Sequence, residues 1–125
     1  MLASQATAVL ALKRDPCAPK TARDWVSRQF GAGLGNTKLD TAKLLVSELV
    51  TNALLHGHGA IAVRARLRQG RLFVEIADEG SGFSWTAPEQ DRDHHNGWGL
   101  LLVDSESDRW GMHEDRTRVW FELAV

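Results

Sequence analysis

The chain has no tyrosine, one cysteine, three prolines and no surplus of either charge. A single thiol, Cys17, cannot close an internal disulfide, so a reducing, cytoplasmic setting is expected. No run of about 18 apolar residues occurs and no charged-then-apolar leader opens the sequence, which speaks against membrane insertion and secretion. Fifteen basic residues offset sixteen acidic ones, and that balance argues against a general nucleic-acid binder. The densest basic run, Arg64, Arg66, Arg68 and Arg71, alternates with apolar residues and reads as the solvent face of a strand. Of the five tryptophans, Trp25, Trp110 and Trp120 sit in apolar patterns and are expected in the core. Trp85 and Trp98 bracket a polar segment and read as partly exposed anchors of a loop.

What is present suits one domain over residues 1–125, long enough to bury a core. Thr7 to Lys13 reads as a strand closed by the turn signals Asp15-Pro16 and Ala18-Pro19. Thr21 to Phe30 has helical spacing and ends in Gly31-Ala32-Gly33-Leu34-Gly35, a helix stop and linker that lacks the Gly-Lys-Ser/Thr ending of a phosphate loop. A second helix is predicted from about Leu39 to His56, capped by Asn36 or Thr37 and ended by Gly57 and Gly59. Ala60 to Arg68 and Arg71 to Asp78 alternate as two strands of a hairpin around Gln69-Gly70. Glu79 to Asn96 has no period, and a loop of that length in a compact domain is usually functional. A helix over Gly97 to Asp108 and a closing hairpin, Trp110 to His113 with Arg118 to Ala124, complete the chain. Consecutive hairpins imply an α+β fold, a mainly antiparallel sheet with helices on one face.

The second helix carries the most information. Glu48, Asn52 and His56 stand at i, i+4 and i+8, so they stack on one face beside Leu45 and Leu49, while Lys43, Ser47 and Thr51 form the opposite, polar arc. Burying an acid and an amide costs several kcal/mol unless each finds a strong partner, so a helix that turns them inward is expected to line a site. Two further pieces follow. Asp78-Glu79-Gly80-Ser81-Gly82 lies where a strand ends, and Asn96-Gly97-Trp98-Gly99-Leu100 where a helix begins. Each alone reads more simply as a turn or a tight helix entry. In this order they suit a nucleotide: a carboxylate for the adenine amino group, glycines for close approach, and helix N–H groups for phosphate.

These residues resemble the GHKL (Bergerat-fold) ATP-binding superfamily, and Val46-Ser47-Glu48-Leu49-Val50-Thr51-Asn52-Ala53-Leu54-Leu55-His56-Gly57 is similar to the N box of the stand-alone anti-sigma-factor serine/threonine kinases. Ala22 to Trp25, Asp104 to Gly111 and Thr117 to Leu123 also fit. The resemblance implies a two-layer α/β sandwich with a mixed, mainly antiparallel sheet and a mobile ATP lid. It further implies that Asn52 would coordinate a Mg²⁺ bridging the ATP phosphates and that Glu48 would be the base or orienter for the attacking hydroxyl. Asp78 would bind the adenine amino group, Gly80 and Gly82 would shape the pocket, and 84–96 would be the lid. Gly97, Gly99 and Leu100 would lead phosphates onto the last helix, and Thr117 would lie near the base. Arg92 in the lid reads either as a solvated arginine or as a γ-phosphate contact, and His56 as a neighbour of the pocket.

By the same resemblance the chain would be an ATP- and Mg²⁺-dependent protein kinase that binds a sigma factor and phosphorylates a STAS-domain antagonist, with no direct nucleic-acid or membrane contact and with homodimers through the first strand as an option. Three departures stand against it: no further glycine follows Gly97 and Gly99, Asp115-Arg116-Thr117-Arg118 replaces Gly-Lys-Thr, and the lid is short. They favour an alternative, a nucleotide-binding module that holds a partner without phosphotransfer. The catalytic half of a histidine kinase fits poorly, because no helical hairpin with a phosphoacceptor histidine is present. His56, His58, His94, His95 and His113 match no zinc spacing.

Overall fold

The computed structural model describes residues 7–79, 95–113 and 118–125, and of 95–100 the backbone only. Five strands and three helices follow in the order β1 (Ala8–Leu12), α1 (Ala18–Phe30), α2 (Asn36–His56), β2 (Ile61–Arg68), β3 (Arg71–Ala77), α3 (His95–Glu106), β4 (Arg109–Met112) and β5 (Arg118–Ala124). A 3₁₀ turn, Gly31–Gly33, joins α1 to α2. The strands form one sheet in the order β1-β2-β3-β5-β4, and every pairing is antiparallel. The expected α+β class is therefore the one observed, but the mixed character is not: among the described residues the sheet has no parallel pair. β2–β3 and β4–β5 are hairpins, β1 reaches β2 through α1 and α2, and β3 reaches β5 after α3 and β4. β3 and β5 meet with Ala77 opposite Arg118.

Alternation sorts the sheet into two faces. Ile61, Val63 and Ala65 of β2, Leu72, Val74 and Ile76 of β3, and Val119, Phe121 and Leu123 of β5 are fully buried. They point at α1 and α2, whose Ala22, Trp25, Val26, Leu45, Val46, Leu49 and Val50 complete the core. Each such aliphatic side chain contributes about 1.5–3 kcal/mol by leaving water, so this face fixes the register, since a slip of one residue would expose all of it. Trp25 meets Phe30 edge to face at 6.2 Å. The β2–β3 turn is tight: Gln69 and Gly70 both have positive φ, 53° and 74°, as a two-residue primed turn requires.

Four local expectations are corrected. Trp120 is not core: Val119 and Phe121 point inward, so the same alternation turns Trp120 outward, where it stacks half-buried on Phe73 at 5.9 Å. α1 begins three residues before the expected Thr21, because Pro19 fits the first turn, where its missing N–H costs nothing. Neither Asn36 nor Thr37 caps α2; Gly35 is the N-cap, without a side-chain bond. Ser47, expected on the polar arc, is buried, because α1 packs against that flank of α2 and Arg23 donates from Nη1 to Ser47 Oγ at 2.7 Å. On the exposed side of α1, a hydrogen bond from Lys20 at 2.9 Å holds the Asp24 carboxyl below its ordinary range. No helix among the described residues is long and apolar enough to cross a membrane.

Candidate functional site

α2 is the common neighbour of β3, of β5 and of α3, so the elements that carry or adjoin the singled-out residues pack on this one helix. Its length and its burial have the same origin. Leucines, valines and alanines recur on two flanks, one against the sheet and one against α1, and bury eight of its residues. Among these is Asn52, only 1% exposed. Neither its Oδ1 nor its Nδ2 has a hydrogen-bond partner among the described residues. A buried amide left without partners costs on the order of 1–3 kcal/mol for each unmet group, so an arrangement of this kind is retained only where something else satisfies it. A hard cation with a phosphate oxygen would meet both ends, the carbonyl by ligation and the amide N–H by donation.

Glu48 lies one turn before Asn52, half-buried and with an interaction partner of its own. Asp78 is the first residue beyond β3, also half-buried, with Oδ2 closed off from solvent and with a partner of its own. Its backbone is anchored through the next residue. The Glu79 N–H donates to His58 O at 3.0 Å, and Glu79 Oε1 accepts from the Ala60 N–H at 3.2 Å. The exit of β3 is thereby fastened to the turn that follows α2.

α3 begins at His95, two residues before the expected start, so Gly97 lies inside its first turn rather than ahead of it. The first four N–H groups of a helix lack partners within it, and Gly97 remains among the residues that present them. Gly99 and Leu100 follow in the second turn. His56 is exposed as the last residue of α2, not inside the apolar arc. Gly80, Gly82, Arg92, Thr117, Trp85 and the expected lid lie outside the described residues, as does the side chain of Trp98. Among the described residues no three His, Cys, Asp or Glu side chains group as a metal site, so a cation here would rely on Asn52, phosphate and water.

Residues 13–123 match the family model described as the histidine kinase-like ATPase domain. The chain belongs to that family. Membership of an ATPase family implies ATP binding, and the α+β class expected of it is the one observed. Two curated relatives are named anti-sigma F factor. That of Clostridium acetobutylicum is 39% identical over 49 residues, covering 36% of this chain and 34% of that protein. That of Halalkalibacterium halodurans is 33% identical over 81 residues and covers 53% of each. The chain thus spans between a third and about half of the length of the curated relatives it matches. A solved structure of the RsbU and RsbW domains of Rv1364c from Mycobacterium tuberculosis shares the fold, with a TM-score of 0.69 over 94% of this chain and 31% of that one, at 19% identity.

One residue with no motif around it also reaches this region. Arg14, two residues beyond β1, places Nη2 at 2.8, 2.7 and 3.0 Å from the carbonyl oxygens of Ala53, Leu54 and Gly57, and Nη1 at 3.2 Å from that of Gly59. Its acceptors lie 39 to 45 residues away in sequence, so no local spacing marks it.

Proposed function

We propose that the chain is an ATP- and Mg²⁺-dependent serine/threonine protein kinase that holds a sigma factor and phosphorylates a STAS-type antagonist. The observation that carries this is Asn52, a buried amide with both polar atoms unmet, one turn from the half-buried carboxylate of Glu48. The names of the two anti-sigma F factors support the partner.

In this reading Asn52 Oδ1 would hold the metal, which would supply neutralisation of charge on the phosphates. Asp78 accepts a hydrogen bond from the adenine amino group, and the first turn of α3 offers N–H groups to phosphate oxygens. Glu48 orients the incoming hydroxyl and takes its proton as the oxygen bonds to the γ-phosphorus and ADP leaves. Phosphoryl transfer asks the protein mainly for positioning and charge placement, which a rigid helix supplies.

The test is incubation of the chain with γ-labelled ATP, Mg²⁺ and STAS-domain proteins from the same genome. The expected result is label on a serine or threonine of the antagonist, abolished by EDTA and reduced about 100-fold or more in Glu48→Gln. Tight, ATP-dependent capture of a partner without any transfer would establish the alternative, a nucleotide-gated binding module. The replacement of Gly-Lys-Thr by Asp115-Arg116-Thr117 favours that second reading.

A further inference from the structure

The last carbonyls of a helix have no partner within it and carry the negative end of its dipole. At the end of α2 the guanidinium of Arg14 meets Ala53, Leu54, Gly57 and Gly59 together. Its planar fork of donors suits several acceptors at once, which an ammonium group serves less completely. Ala53 adjoins Asn52, and Gly57 to Ala60 lead into β2.

Glu79 grips that same turn from the other side. It bonds His58 O and the Ala60 N–H, and it packs so closely on Gly59 that a Cβ there would lie 2.5 Å from Glu79 Oε1 and 2.7 Å from its Cβ. Gly59 also has φ +70°, so the turn is built around a glycine with Glu79 lying on it. Asp78 precedes Glu79 directly.

We propose that Arg14 is a positioning residue of the nucleotide site, locking the end of α2 to the turn that anchors Glu79 and so setting Asp78 relative to Asn52. The proposal rests on the ATP reading above. The two ends of the site depend on Arg14 unequally. Asn52 is held inside α2 by the helical ladder, which continues through the bond from the Gly57 N–H to Ala53 O at 2.9 Å. The turn from 57 to 60 has no such ladder and depends on Arg14 and Glu79. Loss of Arg14 therefore disturbs recognition of the base more than the phosphate end.

The experiment titrates the full chain with ribose-labelled fluorescent ATP and GTP. In Arg14→Gln the affinity for ATP is expected to fall about tenfold and that for GTP less, so the preference for ATP narrows. Arg14→Lys, which keeps the charge and some of the donors, is expected to recover part of the preference. Turnover at saturating ATP is expected to stay within about twofold, since the groups at the phosphate end are untouched. Circular dichroism checks that each variant is folded. Should Arg14→Gln not fold, Arg14→Lys carries the comparison, with a smaller narrowing expected. A lowered melting temperature with an unchanged ATP:GTP ratio overturns the proposal and leaves Arg14 a purely structural cap. A wild-type chain that binds neither nucleotide brings down the ATP reading, and this role with it, so the two failures are told apart by the wild type alone.

Discussion

The indole of Trp120 lies across Gly111 on the neighbouring strand, in the space a side chain there would need. A Cβ at Gly111 would stand 2.8 to 2.9 Å from Cζ2, Cε2 and Nε1 of the indole, with Phe73 stacked on Trp120. Gly111→Ala must push a ring that its neighbours hold in place. The variant is expected to lose about 1–3 kcal/mol of stability in urea unfolding, the usual cost of overpacking. Gly111→Ala with Trp120→Phe, which removes the clashing atoms, is expected to recover part of that loss. A Gly111→Ala chain as stable as the wild type would show that the indole is free to move.

In the proposed site Asn52 serves the nucleotide at the expense of stability, since its buried amide has no hydrogen-bond partner among the described residues. Replacing it with leucine removes an unsatisfied buried amide at similar volume, so Asn52→Leu is expected to unfold in urea with about 1–2 kcal/mol more stability than the wild type in the absence of nucleotide. The same variant should gain nothing from added ATP and Mg²⁺, whereas the wild type is stabilised by ligand linkage. A variant that still responds to ATP would remove Asn52 from the site.

Asp78 tests the base end. Asp78→Asn keeps the shape of the side chain and removes its charge, so ATP affinity is expected to fall about tenfold or more by fluorescent titration. Equal affinities in variant and wild type would mean that Asp78 serves only the exit of β3.

Ser47 separates scaffold from site. It faces α1, and Ser47→Ala leaves the Arg23 guanidinium without its acceptor, at a cost of about 1–2 kcal/mol in unfolding free energy. ATP affinity is expected to stay within about twofold of the wild type, since Ser47 faces away from the flank of Glu48 and Asn52.

Much of this was legible in the chain because short-range periodicity carries it. β2 and β3 alternate so cleanly that hairpin, register and buried face follow, and the spacing of Glu48 and Asn52 singles out the helix that carries the buried, unpartnered amide. The misses share a cause. Trp120 reads as core by composition, yet phase within the strand decides, and Val119 and Phe121 hold the inward phase. Ser47 reads as polar and outward until a second helix arrives to cover it, and packing partners are not written in local spacing. Pro19 reads as a turn because proline breaks helices, but in a first turn it starts one. Arg14 has no local signature at all, since its partners come from a helix end brought near only by the finished fold.

The pairing of Ala77 with Arg118 gives the sheet a narrow gate. The chain leaves β3 at one rung and comes back opposite it on β5, after 40 intervening residues that include α3 and β4. Closing that excursion is an entropic cost that grows only with the logarithm of its length, about 0.6 kcal/mol for each doubling. Insertions or deletions in the connection after Glu79 leave the rungs on either side of the gate unchanged. Evolution can thus lengthen or trim the connection between β3 and α3 as a separate part, while the β3–β5 ladder is inherited intact.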